Sequence, residues 1–234
     1  MTSTTDLMDD ADALGSLALA PSARRTLRDH VHERLRLAII SGRFPAGSRL
    51  NERALADELD VSTTPLKEAL RLLEAEGLVE VLPRRGVVVR FDADFAEEMI
   101  LARAALESPI AGLAAERVQE EARASLLATV ALMEEATQAS DVPSLISLNE
   151  TFHGAIHVAS GSRHLTRMVA QQHFYDGSAR RVIHRDASDS RQAFEEHHAI
   201  AQAIASGRAE EASTLMHDHV LRSGRLYLAA VFGR

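Results

Sequence analysis

The sequence predicts a mainly α-helical protein of two domains. A small N-terminal domain has three helices closed by a β-hairpin, and a larger C-terminal domain has six helices and no strand. Three observations predict this. The apolar fraction is 46% while aromatics are 4% and Trp is absent, so the cores are built from Leu, Ala, Ile and Val, a composition that suits helices. Apolar residues recur at helical spacing nearly throughout, and strand-like runs fall only between residues 78 and 89. At 234 residues the chain is long enough for two cores.

Residues 1–21 hold four Asp and no base. They are small, polar and without a sustained period, and read as a disordered acidic segment. Residues 22–91 form the first domain. Leu27, Val31, Leu35, Ala38 and Ile39 mark its first helix, Gly42 ends it, and Phe44-Pro45-Ala46-Gly47 is a turn. Asn51 caps a second helix whose apolar face is Leu55 and Leu59. Ser62 is placed to cap a third, with Pro65 in its first turn, where a missing N–H costs nothing. Leu66, Ala69, Leu70 and Leu73 face the core and Gly77 stops the helix. Leu78–Val81 and Val87–Val89 are the hairpin strands, joined through Pro83-Arg84-Arg85-Gly86. Residues 92–234 are the second domain, with helices expected at about 92–118, 120–140, 142–160, 163–185, 189–206 and 208–231. Asp92 and Asp141 are its N-cap residues, and Gly161 and Gly207 its stops.

Two short helices, a tight turn, a longer helix and a hairpin with a basic tip make a winged helix-turn-helix. That module lays one helix in the DNA major groove and its wing on the backbone. The expected recognition helix offers Ser62, Thr63, Thr64 and Lys67 on its outer N-terminal face, with Arg71 one turn further on. Hydroxyls bond phosphates or base edges, and Lys67, the sole lysine, reaches phosphate or guanine. Arg49 and Arg53 are placed to hold the DNA backbone. Arg84 and Arg85 are placed to grip phosphate or enter the minor groove, with Gly86 permitting the tight turn. Taken singly, each arginine reads equally as a solvated surface charge. The whole arrangement could also be a helical hairpin docking on a protein; the order of turn, helix and basic wing favours DNA. The net charge of −8 divides as −4 over residues 1–21, +3 over 22–90 and −7 over 91–234, so positive charge gathers where the module lies.

Cysteine is absent, so neither disulfides nor thiolate metal sites form. No apolar run is long enough to span a bilayer and no signal peptide is visible, so a cytoplasmic protein with no membrane partner is expected. No Gly-rich phosphate loop, nucleophile elbow or defined acid pair appears, and the chain is not expected to be an enzyme.

Nine of the eleven histidines lie in the second domain. By spacing, His153 and His157 form an i, i+4 pair, and Asn149 with His153 forms another. His197-His198 and His217-His219 sit on two later helices, and only one of each close pair can face a common centre. Spacing leaves the choice open. Arg103 and Glu107 are also four apart, a spacing that on its own reads as an exposed ion pair on a helix.

The segments Arg43-Phe44-Pro45-Ala46-Gly47-Ser48-Arg49-Leu50, Leu55-Ala56-Asp57-Glu58-Leu59, Val61-Ser62-Thr63-Thr64-Pro65-Leu66-Lys67-Glu68-Ala69-Leu70 and Leu73-Glu74-Ala75-Glu76-Gly77-Leu78-Val79 resemble the GntR family of bacterial transcription regulators. The second domain resembles the FCD ligand-binding domain of the FadR subfamily. The resemblance implies that Arg53, Thr63, Thr64, Lys67 and Gly86 contact operator DNA. The family often has arginine at the positions of Thr63 and Lys67, and a lost bidentate guanine contact shifts base preference by about 1–3 kcal/mol. A relative's operator is therefore not expected to transfer.

Leu148-Asn149-Glu150-Thr151-Phe152-His153, Glu196-His197-His198-Ala199-Ile200 and Met216-His217-Asp218-His219 are similar to the three FCD metal motifs. The resemblance implies Asn149, His153, His197 and His219 as ligands of a divalent zinc, nickel or manganese ion, with His157, His198 and His217 as bystanders. Asn in place of the usual Asp removes one negative charge and should weaken binding. Arg103 and Glu107 match the start of the FCD domain, where the arginine lines an effector cavity; Arg180 and His184 are further lining residues. The implied protein is a homodimeric regulator, more often a repressor in this family. It binds palindromic double-stranded operator DNA and responds to a small carboxylate effector. The alternatives are a metal-dependent enzyme acting on a small carboxylate with a fused DNA-binding domain, and a non-specific architectural DNA protein, against which the acidic second domain counts.

Overall fold

The computed structural model describes residues 26–172 and 186–234. The expected disordered segment 1–21, Arg180 and His184 lie outside the described residues. Helix α1 (Leu27–Ile40) starts on a reciprocal cap: the Thr26 hydroxyl accepts from Asp29 N and the Asp29 carboxylate accepts from Thr26 N. The Thr26 backbone bond, helped by Arg28, pulls the half-buried Asp29 carboxyl down to about 2. Then come β1 (Arg49–Leu50), α2 (Glu52–Leu59), α3 (Thr63–Ala75), β2 (Val79–Leu82) and β3 (Gly86–Val89). Asn51 caps α2 as expected, accepting from Arg53 N and Ala54 N. Asp60 closes α2 in the left-handed region, φ 52°, which a short polar side chain tolerates.

Two local expectations are corrected. The wing is a three-stranded antiparallel sheet, order β1-β3-β2, rather than a two-stranded hairpin: Arg49 faces Val88 and Leu50 faces Val87. A two-residue strand carries no readable alternation. It exists because Gly47 N donates to Val89 O at 2.8 Å and Val89 N to Ser48 O at 3.0 Å. Ser62 occupies the N-cap of α3, but its side chain makes no capping bond.

The second domain follows the expected segments closely: α4 (Ala93–Arg117), α5 (Glu120–Gln138), α6 (Val142–Ser160), α7 (Arg163–Gln172), α8 (Ala187–Ala205) and α9 (Ala209–Phe232). The remainder of the helix expected to 185 lies outside the described residues. Asp92 and Asp141 cap α4 and α6 through Phe95 N and Ser144 N. Small residues bring α4 and α9 close. A Cβ on Gly112 would meet Ser213 Oγ at 2.9 Å, and one on Gly224 would meet Ile100 Cγ2 at 2.4 Å. Ser108 and Ser213 exchange bonds between the same helices, each hydroxyl donating to the other's carbonyl at 3.0 and 2.7 Å.

These two helices also enter the first domain. Phe91, Ala96 and Ile100 from around the start of α4, and Tyr227 near the end of α9, are buried in one cluster with Leu35, Ile39, Leu66 and Leu73. The Tyr227 hydroxyl donates to Ile40 O at 2.7 Å, closing α9 onto α1. Phe232 stacks obliquely on Phe91 at 5.8 Å. Each fully buried large apolar side chain contributes about 1.5–3 kcal/mol. The junction is therefore packed as a core.

Candidate nucleic-acid interface and candidate metal centre

The α3 pattern splits as the sequence demands. Leu66, Ala69, Leu70 and Leu73 are buried, while Ser62, Thr63, Thr64, Lys67 and Arg71 are exposed. Arg49, Arg53, Arg84, Arg85 and Gly86 are exposed as well. At the wing tip Arg85 N donates to Leu82 O at 3.0 Å, with Pro83 at the second turn position. The third position requires positive φ, and Arg84 takes it at φ 61°. A long side chain there is strained, since the left-handed region costs a non-glycine residue about 1–2 kcal/mol. Gly86, at φ 81°, returns the chain to β3. The arrangement presents hydroxyls, one ammonium and several guanidiniums to solvent on the helix face and wing, the equipment for phosphate and base-edge contacts.

In the second domain α6, α8 and α9 bring His153, His197 and His219 together. All three are buried, and one ring nitrogen of each lies within 4.8 Å of the others. Ring centroids stand 4.5 Å apart for His197 and His219, 5.6 Å for His153 and His219, and 5.9 Å for His153 and His197. Phe152 meets His197 edge-on at 4.8 Å, fixing that ring from below.

A carboxylate orients one ligand from outside the cluster. Glu196 Oε2 stands 2.7 Å from His219 Nδ1. Burial raises the Glu196 carboxyl, but the bonds from His219 and Arg222 outweigh it and hold the group below its usual range. An ionised carboxylate only accepts, so Nδ1 carries the hydrogen, and the neutral ring would offer its Nε2 lone pair to an ion. The donor set therefore fits a divalent cation: three buried imidazoles, close enough for one ion to touch all three, with a tautomer set for ligation. Asn149 is half-buried one turn before His153, on the same helical face.

Beside the cluster lies a second buried polar group. Glu107, fully buried, accepts from Arg103 at 2.9 Å and from His157 at 2.7 Å. Its other near neighbour is His153, with Nδ1 3.9 Å from Oε1. Burial raises the Glu107 carboxyl, yet the His157 bond and the Arg103 charge pull it below its ordinary range. Of the two readings of this pair, the exposed one is set aside: the pair is buried, because α4 turns that face toward α6. His157 stands outside the histidine trio, as expected, but it holds Glu107 in place. His198 is exposed, and His217 faces Asp218 at 3.1 Å on the outside.

Sequence reasoning missed Glu196 and Arg222. Glu196 adjoins His197 in sequence, and a carboxylate next to an expected ligand was a usable signal. Arg222 follows His219 by three residues and so leans back over the same turn.

Among the described residues no helix is long and apolar enough to cross a membrane. Residues 27–89 match the model for bacterial regulatory proteins of the gntR family, and residues 98–222 match the FCD domain. An HTH-type transcriptional regulator from an unstable DNA locus of Streptomyces ambofaciens is 30% identical over 208 residues, 86% of this chain and 85% of the relative. The Escherichia coli transcriptional repressor GlaR is 29% identical over 197 residues, covering 78% of this chain and 87% of that protein. The solved structure of E. coli McbR/YncC superposes with a TM-score of 0.65 at 22% identity, covering 86% of this chain and 97% of that one, a likeness of fold. An exposed hydroxyl-and-base face on a winged helix, joined to a helical domain with a buried histidine cluster, has the same explanation as these matches: the chain belongs to the GntR family of bacterial transcriptional regulators and carries an FCD domain.

Proposed function

We propose that this regulator is a repressor that binds a palindromic operator as a homodimer. A small organic acid, bound at a metal in the second domain, modulates that binding. Arg53, Ser62, Thr63, Thr64, Lys67 and Arg71 contact the major groove and adjacent backbone; Arg49, Arg84, Arg85 and Gly86 hold the flanking phosphates. His153, His197 and His219, with Asn149, hold a zinc, nickel or manganese ion. Such an ion supplies a Lewis-acidic anchor for a carboxylate. Arg103 and Glu107 border the same cavity. The observation that carries the reading is that α4 and α9 belong at once to the histidine-lined bundle and to the core beneath the recognition helix. Two relatives carry repressor names, GlaR and a probable D-xylose utilization operon repressor of Paenarthrobacter nicotinovorans.

A regulator is favoured over an enzyme by the chemistry beside the cluster. Glu107 and Glu196, carboxylates beside it, are each committed to a histidine and an arginine. Neither is left as a general base of ordinary basicity.

The test is fluorescence anisotropy of the full chain on DNA selected from random sequence. A palindromic site is expected to bind at least tenfold better than its scrambled counterpart, with affinity falling as salt rises. Metal together with a small carboxylate is expected to change that affinity. Equal binding to both DNAs would refute the reading.

A further inference from the structure

We infer that the effector is a dianion, and that Arg222 is the residue that selects its second anionic group. The inference rests on the metal-anchored cavity proposed above and names the chemistry that cavity accepts. Arg222 is buried to 12% side-chain exposure. Its Nε donates to Glu196 Oε1. Its Nη1 and Nη2 are both buried and have no hydrogen-bond partner among the described residues. Buried donors almost always have partners, and a guanidinium fork left bare is costly. Nη1 and Nη2 are the edge that grips two oxygens of a carboxylate or phosphate side by side.

Its position ties it to the histidine cluster. The Glu196 carboxylate bridges the two, one oxygen on His219 Nδ1 and the other on Arg222 Nε. Arg222 follows His219 by one turn of α9, and helical side chains lean toward the N-terminus, over the turn before. The guanidinium therefore lies one carboxylate's width from a metal-facing imidazole.

Charge points the same way. Arg103 and Glu107 cancel, as do Arg222 and Glu196. Three neutral imidazoles add nothing, and Asn149 contributes no charge where an Asp would contribute one. Among the described residues, a divalent ion then leaves the cavity at about +2, by simple counting of formal charges. A buried +2 is balanced by a ligand of −2. One carboxylate goes to the ion and the second anionic group to Arg222.

Matched probe pairs test this by calorimetry on the metal-loaded full-length protein: malonate against propionate, succinate against butyrate, glutarate against valerate. Each pair has one chain length and differs by a carboxylate. At least one diacid is expected to bind about tenfold or more tighter than its monoacid, the worth of a charge-assisted bidentate contact. Arg222→Met is expected to bring that ratio to within about threefold of unity, compared at equal metal loading as read by elemental analysis. Equal wild-type affinities within every pair overturn the proposal, whether or not the variant folds. So does an unchanged ratio in Arg222→Met, including one accompanied by a change in oligomer mass, which would assign the guanidinium to a second copy. Metal-dependent binding of monoacids and diacids alike would leave the anchored cavity standing and remove Arg222 from it. No binding by any probe would remove both.

Discussion

Gly224→Ala measures how closely α9 lies on α4. In an open helix, Gly to Ala stabilises by about 1 kcal/mol, because glycine loses more backbone freedom on folding. At Gly224 the new Cβ would stand 2.4 Å from Ile100 Cγ2, 2.9 Å from Cδ1 and 3.0 Å from Cγ1. Ile100 is 3% exposed, and its Cγ2 branches from Cβ, so no rotation of the outer chain moves it aside. Overpacking of this kind costs about 1–3 kcal/mol, and a contact under 2.5 Å belongs at the upper end. The net loss is then about 1–2 kcal/mol, or roughly 2–8 °C in Tm for a chain of this size. Gly154 is the internal control. It is exposed in α6, and a Cβ there meets nothing within 4 Å, so Gly154→Ala is expected to gain about 1 kcal/mol. Thermal melts of the two variants, plus Ile100→Ala alone and with Gly224→Ala, complete the cycle. A favourable coupling of about 1 kcal/mol is expected in the double variant. If both glycine variants raise Tm alike, the close approach of the two helices is refuted.

Arg84→Gly relieves the left-handed strain at the wing tip, so Tm is expected to hold or rise slightly. The slope of log affinity against log salt is expected to flatten by about one as a phosphate contact is lost. His153→Ala is expected to remove bound metal by elemental analysis, and a chelator is expected to lower the Tm of the wild type but not of that variant. Glu107 is held below the ordinary glutamate range, so its stabilisation is present above that range and is lost as pH falls through its depressed value in the folded state. Glu107→Gln is expected to flatten that acid limb in urea titrations and, by taking the carboxylate from a buried Arg103, to cost about 3 kcal/mol at pH 7. Tyr227→Phe removes the bond to Ile40 O while keeping the packing, and a loss of about 1 kcal/mol is expected in the same titrations.

The helices were legible because each announces itself over many residues. Asn51, Asp92 and Asp141 cap where a short polar side chain precedes an apolar period, and the buried face of α3 is the set Leu66, Ala69, Leu70 and Leu73 that the spacing required. Strand β1 was not legible, because two residues have no period and their partner is set by tertiary packing. Spacing alone left the histidines ambiguous; the family resemblance chose the three that the fold brings together. The polar groups around them were harder still. His157 and Glu107 meet across 50 residues, and His219 and Glu196 across 23. No local pattern reports which face of α4 turns toward α6. The same gap hid the burial of Arg103 and the bare edge of Arg222.

Helix α9 carries a histidine of the cluster and, with α4, props the recognition domain, and this limits how a signal can travel. His219, Arg222, Gly224 and Tyr227 follow one another on α9. Eight residues of helix separate the imidazole at the cluster from the phenol at the α1 junction, about 12 Å of rod. On α4, Glu107 and Arg103 border the cluster, while Ile100 and Ala96 belong to the junction core. A ligand that draws α9 toward α8 through Arg222 therefore meets resistance first at Gly224 against Ile100, where no slack exists, and then at Tyr227. A tightly packed contact transmits a displacement instead of absorbing it. On the function proposed here, α4 and α9 move as one body, and the first domain moves with them.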